Sequence, residues 1–167
     1  LRECIEECGA AFRLQAEAEN KKFWLEYDIK NSMVVGDPFR IGQIMNNLLS
    51  NAFKFTEEGD SVSVHVRQFE DKEYSQYQII VRDTGIGMSE EFIPHLFEPY
   101  ARETKFSSRQ ITGTGLGMPI VKNLITQMSG QIHVESRPGE GSTFTISVPF
   151  TTVKDKETAK IQEKEQG

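Results

Sequence analysis

The architecture of this chain is set by the segment DPFRIGQIMNNLLSNAFKFT, which runs from Asp37 to Thr56. Asp37 is a typical helix N-cap and Pro38 a typical first helical residue, so we expect a helix that begins here and runs to about Phe55. At about 100° per residue, its apolar side chains fall on one face, which predicts burial against a core. These residues are Ile41, Ile44, Met45, Leu48, Leu49 and Ala52.

The same helix carries a polar stripe beside its apolar face. Gln43, Asn47, Asn51 and Lys54 fall within about 80° of one another. Asparagine forms helices poorly, and solvent-facing positions more often carry charged residues, so the two asparagines favour a functional interpretation. An amide oxygen suits a hard cation such as Mg²⁺. The alternative interpretation is an ordinary solvated face.

Helices and pairs of strands follow one another on both sides of this segment. Helices interleaved with mostly antiparallel hairpins predict an α+β fold, a two-layer α/β sandwich whose mixed, mostly antiparallel sheet is covered on one face by helices. Before this segment, the sequence predicts an amphipathic helix with Leu1, Ile5, Cys8 and Phe12 on its core face and a strand over 23–29. After it, the sequence predicts a hairpin with strands at 62–66 and 77–81 that are joined through 70–73. A long helix from about Leu116, which Gly130 ends, and a final hairpin around 138–141 complete the prediction.

Composition limits the classes of partner. The length of 167 residues predicts one domain, and a net charge of −6 argues against a general affinity for nucleic acid or anionic membranes. No apolar run approaches the ~20 residues of a membrane span. Cys4 and Cys8 cannot form a disulfide framework; we expect both to be reduced and to pack, which favours a cytoplasmic setting. Because the chain begins with Leu1 rather than Met, we expect it to be excised from a longer protein.

Two glycine-rich segments each allow a ligand-binding interpretation. The first, Asp83-Thr84-Gly85-Ile86-Gly87, follows a strand. A buried carboxylate there could accept a hydrogen bond from a ligand amine, and the glycines would let the backbone approach a flat ring. The alternative is a plain Asx turn. Gly113-Thr114-Gly115-Leu116-Gly117 opens the second long helix, where backbone N–H groups attract an anion; a glycine hinge is the alternative. The spacing matches neither a Rossmann nor a Walker motif.

A basic, polar stretch from Tyr100 to Thr112 lies between these two segments. It carries Arg102, Lys105 and Arg109 against Glu103, a net charge of +2 in an acidic domain. Such a stretch bounded by glycines is typical of a lid that covers an anionic ligand.

Taken together, these segments resemble the ATP-binding catalytic domain of sensor histidine kinases, part of the wider group that includes DNA gyrase, Hsp90 and the mismatch-repair ATPases. The resemblance covers about residues 1–150 and implies a Bergerat-type ATP-binding fold. Four boxes occur in order: the asparagine box at 37–56, the first glycine box at 83–87, the phenylalanine box Leu96-Phe97-Glu98-Pro99-Tyr100, and the second glycine box at 113–117.

The resemblance implies a role for each site residue, with ATP and Mg²⁺ as cofactors. Asn51 would ligate Mg²⁺, Asn47 would support the metal or the phosphates, and Lys54 would reach the phosphates; these three are the predicted catalytic positions. Asp83 would accept from the adenine amino group, with Gly85 and Gly87 close to the base. The other predicted nucleotide contacts are Tyr100, Arg102, Lys105, Arg109, Thr112, Gly113, Thr114, Gly115, Leu116 and Gly117.

The implied reaction is transfer of the γ-phosphoryl group of ATP to a histidine. The phosphoacceptor motif of the family does not occur in this chain, since His65 and His133 fall on predicted strands and His95 precedes the lid. We therefore expect the acceptor helices upstream of Leu1 or on another chain. The expected domains are a connecting helix at 1–20, the catalytic domain at 21–150 and a charged linker at 151–167.

The expected partners follow from the same resemblance. They are the histidine-containing dimerisation domain of the same protein and a downstream response regulator, with no nucleic acid. We expect a soluble fragment of a homodimeric parent, either wholly cytoplasmic or anchored in an inner or plasma membrane with this domain on the cytoplasmic side.

Two other functions are compatible with these boxes. Gyrase-type hydrolases place a glutamate one turn before the metal asparagine in order to activate water. That position is Asn47 here, and an amide cannot act as a base. A nucleotide-binding regulatory module, a kinase that has lost its activity, is the non-enzymatic alternative.

Overall fold

The structure, a computed structural model, describes residues 1–30, 33–70, 75–99 and 117–152. The elements in these ranges are three helices, six strands and one short 3₁₀ turn. In chain order they are α1 (Arg2–Ala18), β1 (Lys22–Asp28), β2 (Val34–Val35), α2 (Pro38–Lys54), β3 (Ser61–Glu70), β4 (Ser75–Asp83), the 3₁₀ turn (Ile93–His95), α3 (Gly117–Gln127), β5 (Gln131–Arg137) and β6 (Gly141–Thr152).

The strands form one mixed sheet whose path is β1-β3-β4-β6-β2, with β5 also paired to β6. Only β1 and β3 are parallel among the described pairs, and α2 is part of the connection between them. The two predicted hairpins are confirmed as the antiparallel pairs β3–β4 and β5–β6. β2 was not predicted; its two residues pair with Thr151 and Thr152 at the end of β6.

The start of α2 has the geometry that its sequence predicts. The Asp37 side chain accepts a hydrogen bond of 2.9 Å from the backbone N–H of Phe39, and Pro38 is the first helical residue. All six residues of the predicted apolar face are buried, and Phe53 is buried with them. This face covers the sheet, so α2 is fixed both at its start and along its length.

The helices and one face of the sheet enclose the core. Alternate residues of β3, β4 and β6 are buried, as expected for strands with one covered face. α1 contributes Ile5, Phe12 and Ala16 to the same core, and α3 contributes Met118, Val121 and Ile125. The predicted two-layer α+β fold is therefore confirmed. Within the described ranges, no helix is both long and apolar enough to cross a bilayer.

The end of α3 differs from the prediction. The helix ends at Gln127, and the residue with a left-handed backbone is Ser129, at a φ of 59°, rather than Gly130. Gly130 is needed for a different reason: a Cβ there would overlap the Val148 side chain and lie 2.7 Å from the Ser147 carbonyl oxygen. The glycine thus allows the chain to pass close to β6.

Substitutions of two glycines should change stability in opposite directions. Gly42 lies inside α2, and a Cβ there would be 3.8 Å from the Cys8 sulfur, an ordinary contact. Gly42→Ala should stabilise the chain by about 0.5–1 kcal/mol because it removes backbone freedom from the unfolded state. Gly130→Ala should destabilise it by about 1–3 kcal/mol through overpacking. Urea unfolding measures both, and equal effects would contradict the packing described here.

Candidate functional site

The polar stripe of α2 lies at the edge of the helix layer, as its spacing predicts. Asn47 and Asn51 are partly buried, whereas Gln43 and Lys54 are exposed. The neighbouring Leu48 and Ala52 belong to the core, so the helix cannot rotate without exposing them. The burial of one face therefore fixes the direction in which the stripe points.

Asn47 faces the beginning of α3. A Cβ added to Gly117, the first residue of α3, would lie 3.8 Å from the Asn47 side-chain oxygen. The Asn47 Nδ2 atom is buried and has no hydrogen-bond partner within the described part of the chain. A buried donor without a partner is costly unless a ligand or water satisfies it. Because a helix N-terminus also attracts anions, the pair forms a candidate anion site.

A buried carboxylate lies at the end of β4. Asp83 is only 4% exposed, and it accepts a 3.0 Å hydrogen bond from the backbone N–H of Gly85. Burial is the main reason that the pKa of this carboxyl rises to about 6, while backbone N–H groups of Gly85 and Ser142 act in the opposite direction and Asp60 adds a small rise. A carboxyl group so held has acceptor capacity left for a ligand amine.

The segment after Asp83 runs tightly against the end of α2. The backbone N–H of Ile86 donates a 3.0 Å hydrogen bond to the carbonyl oxygen of Phe55, the residue that follows α2. A Cβ at Gly85 would overlap that same carbonyl oxygen. Gly87 has a φ of 68° and would overlap the Arg137 carbonyl in the same way. Both glycines of the motif are thus required by the close approach of backbone to backbone.

The β5–β6 hairpin holds the other side of this segment. The Gly139 N–H donates a 2.7 Å hydrogen bond to the carbonyl oxygen of Ile86, and the Met88 N–H donates a 2.8 Å hydrogen bond to the Ser136 hydroxyl. Ser136 also lies 2.8 Å from the hydroxyl of Ser142, which pairs with Asp83 in the sheet. Sequence reasoning missed both serines, because no local pattern links them to Asp83.

The described site residues form a row along α2. Asn47 lies at the start of α3, Asn51 and Lys54 follow one and two turns later, and the segment with Asp83, Gly85 and Gly87 meets the end of the helix. The other predicted site residues, which are Tyr100, Arg102, Lys105, Arg109, Thr112, Gly113, Thr114, Gly115 and Leu116, lie outside the described residues.

Comparison with known families identifies this arrangement. Residues 36–152 match the family described as histidine kinase-, DNA gyrase B-, and HSP90-like ATPase. The chain belongs to this family. The matched range contains α2, the buried Asp83 and α3, so the resemblance found in the sequence is confirmed.

Similar proteins of this ATPase family are sensor kinases. The chain is 48% identical over 120 residues to the sensor protein GacS of Pseudomonas syringae pv. syringae, and 45% identical over 115 residues to the sensor histidine kinase RcsC of Escherichia coli K12. These alignments cover 72% and 69% of this chain. They span only 13% and 12% of the two relatives, which are therefore much longer proteins.

A solved member has the same fold. The catalytic domain of the histidine kinase ThkA in a nucleotide-free form superposes with a TM-score of 0.74 at 27% identity, over 90% of this chain and 94% of that domain. ThkA in complex with the response regulator protein TrrA superposes with a TM-score of 0.70 at 26% identity, over 90% of this chain and 40% of that one.

The described part of the phenylalanine box packs beside α3. Leu96 is buried, Phe97 packs against the core, and the Lys122 ammonium lies 5.4 Å from the centre of the Phe97 ring. His95, one residue before this box, is exposed and contacts Glu98 at 3.0 Å. The described part of the box therefore packs against α3, whose first residue, Gly117, lies near Asn47.

Asp83 should make stability depend on pH. Its pKa lies at about 6 in the folded chain, above the ordinary value of 3.8, so the folded chain binds this proton at a higher pH than the unfolded chain. The resulting stabilisation is complete below the ordinary value and is lost as the pH rises through about 6. Between about pH 5 and about pH 7.5, we expect a loss of roughly 1–1.5 kcal/mol.

Urea unfolding of the wild type and of Asp83→Asn at both pH values isolates this contribution. The amide cannot titrate, yet it keeps an oxygen for the Gly85 N–H. The difference in unfolding free energy between the two proteins should therefore change with pH by the stated amount. A constant difference would show that the folded-state pKa of Asp83 is not raised.

Proposed function

We propose that this chain is the ATP-binding catalytic domain of a two-component sensor histidine kinase, which binds Mg-ATP and transfers the γ-phosphoryl group to a histidine on a separate dimerisation domain. The observation that carries the proposal is the row along α2. Neutral amides and one lysine lie between an anion-attracting helix start and a buried carboxylate with acceptor capacity. That order matches a nucleotide, with its phosphates at one end and its base at the other.

The base end of the site has acceptor chemistry. Asp83 has one oxygen on the Gly85 N–H and can accept from an exocyclic amine with its remaining capacity. Adenine presents such an amine, and guanine presents a carbonyl at the same ring position. Gly85 and Gly87 hold the backbone of this segment close to Phe55 and Arg137, which keeps the Asp83 carboxylate in place for that amine.

The phosphate end of the site has donor chemistry. The unpartnered Nδ2 of Asn47 and the N-terminus of α3 both favour oxygen anions, and the exposed Lys54 ammonium can reach them from the same helix. Asn51 offers a neutral amide oxygen between them, a ligand type that Mg²⁺ accepts while it keeps most of its waters. Arg102, Lys105, Arg109 and the second glycine box are expected to complete this end.

Phosphoryl transfer in this site depends on position and charge. When bound, Mg²⁺ supplies charge neutralisation at the phosphate oxygens. Lys54 and the N-terminus of α3 would neutralise further charge, and Asp83 would hold the base so that the γ-phosphate points out of the site. Asn47 cannot take a proton from water, which favours transfer to an outside nucleophile over hydrolysis.

The nucleophile, the partners and the location are part of the proposal. Of the three histidines, His65 lies on β3, His133 on β5 and His95 in the 3₁₀ turn, and the latter two contact carboxylates on the surface. A histidine of the parent protein's dimerisation domain would be the acceptor. A response regulator would be the next partner, as the ThkA complex with TrrA suggests by analogy. The free thiols of Cys4 and Cys8 favour a cytoplasmic setting for this domain.

Transfer between separate proteins tests the proposed reaction. The chain should not label itself when it is incubated with Mg²⁺ and γ-labelled ATP. With the dimerisation domain of the parent protein present, acid-labile label should appear on that domain. ATP binding without any label on the acceptor would instead identify a nucleotide-binding regulatory module. Steady release of phosphate without an acceptor would identify a hydrolase.

Asn51→Ala tests the phosphate end of the site. The loss of the amide oxygen should weaken Mg-ATP binding at least about tenfold and abolish the gain in affinity that Mg²⁺ gives. Asn46→Ala is the matched control, because Asn46 is an exposed asparagine of the same helix outside the stripe. Calorimetric titration with ATP, with and without Mg²⁺, measures both. Equal affinities for the two variants would argue against the assignment of Asn51.

A further inference from the structure

A buried ammonium group lies outside every box described above. Lys21 belongs to the short connection between α1 and β1, and its side chain is only 5% exposed. Lysine is seldom buried to this degree unless its charge is compensated. The contacts of Lys21 therefore show which groups compensate its charge and which part of the fold it holds.

The Lys21 side chain ends at the last turn of α2. Its Nζ atom donates a 2.8 Å hydrogen bond to the carbonyl oxygen of Phe53 and lies 5.5 Å from the centre of the Phe53 ring. The Glu19 carboxylate, itself 41% exposed, lies 3.6 Å from the same Nζ. A cation at a helix C-terminus is favoured by the helix dipole as well as by the hydrogen bond.

Lys21 is one member of a set of donors that satisfies the end of α2. The Asn51 carbonyl accepts from the Phe55 N–H, and the Ala52 carbonyl accepts from the Thr56 hydroxyl at 2.9 Å. The Phe53 carbonyl accepts from both Thr56, at 3.2 Å, and Lys21. The Ala52 and Phe53 carbonyls in the last turn are thus fixed in direction by side chains.

This same turn holds both halves of the nucleotide site. Asn51 and Lys54 project from it, and the next carbonyl after the helix, that of Phe55, accepts from Ile86 in the segment after Asp83. A shift of this turn would therefore move the metal asparagine and the base-binding segment together. Displacements of about 1 Å in such a site are enough to lower function substantially.

We propose that Lys21 is a positioning residue for the Mg-ATP site, which acts by fixing the last turn of α2. The proposal rests on the proposed function, because it concerns the geometry of the same site. Lys21 would touch neither nucleotide nor metal. Its ammonium orients the Phe53 carbonyl, and through the helix end it sets the relative position of Asn51 and the Phe55 carbonyl.

A positioning role can be separated from a contribution to stability. Removing one partner of a buried ion pair is costly when the remaining charge is also buried, but the Glu19 carboxylate beside Lys21 is 41% exposed. Methionine has about the length of the lysine side chain that it replaces, and water can solvate the Glu19 carboxylate that remains. The Thr56 hydroxyl oxygen lies 2.9 and 3.2 Å from the Ala52 and Phe53 carbonyl oxygens, so the two acceptors can share its single proton after Lys21 is replaced. We therefore expect Lys21→Met to fold.

The experiment compares Lys21→Met with Lys22→Met in the full chain. Lys22 is the next residue, and it is exposed. Calorimetric titration with Mg-ATP, well below both melting temperatures, should give a dissociation constant at least about fivefold higher for Lys21→Met than for the wild type. Lys22→Met should stay within about twofold of the wild type. Amide hydrogen exchange at Ile86 should be faster only in Lys21→Met.

The outcomes decide between the two proposals. If Lys21→Met melts at a lower temperature but keeps the wild-type dissociation constant and Ile86 exchange rate, Lys21 is merely stabilising and this proposal is overturned. If the wild type itself does not bind Mg-ATP, the proposed function is overturned, and the role of Lys21 with it.

A second variant decides the question if Lys21→Met does not fold. Lys21→Gln keeps an N–H donor at a shorter reach and without charge. It should weaken Mg-ATP binding more than twofold relative to Lys22→Met and raise the exchange rate of Ile86. Wild-type affinity and exchange in Lys21→Gln would overturn the positioning role.

Discussion

The carbonyl oxygen of Phe55 is the point on which the candidate site depends. It accepts a hydrogen bond from Ile86 and lies so close to Gly85 that no side chain fits there. This contact joins the end of α2, which is anchored by its buried apolar face, to the end of β4, which is anchored in the sheet. The two halves of the site come from elements about 30 residues apart, and their relative position is set by backbone atoms.

A contact between backbones resists substitution in a way that a contact between side chains does not. Every residue type except proline has both backbone groups, so a mutation does not remove them. A mutation can break the contact only by placing a side chain between the two backbones, so residues without a side chain are required there. The glycines at 85 and 87 meet this requirement, and the β5–β6 hairpin supports the segment from its other side through Gly139 and Ser136. The cost of burying the Asp83 carboxyl is offset in part by the backbone N–H groups of Gly85 and Ser142.

Local patterns predicted most of the fold and about half of the site. Periodicity identified α2 with its cap and its buried face, because both signals lie within a few residues. β2 was missed because two residues are too few to show alternation. The parallel pairing of β1 with β3 was also missed, because it joins strands that are separated by a helix. The resemblance of the four boxes supplied the expected roles of Asn51 and Asp83, which composition could not supply.

Ser136, Ser142 and Lys21 show the limit of such reasoning. Each acts on a residue far away in the chain, and none lies in a pattern that marks it. Gly130 shows a related limit, since its sequence position suggested a helix cap, whereas the reason for the glycine is the nearness of β6. Distant packing leaves no periodic trace, so these contacts become visible only in three dimensions.

The direction of the strands separates the two ends of the sheet. β4 ends at the site with Asp83, and β3 and β6 begin beside it, so the start of β4 and the ends of β3 and β6 lie at the opposite end. The eight residue steps of β4, at about 3.3 Å each, put roughly 25 Å between these ends. A peptide grafted between β3 and β4, or a protein fused after β6, would therefore be attached at the end of the sheet away from Asp83. Insertions and fusions at that end of the sheet should therefore leave the candidate site open.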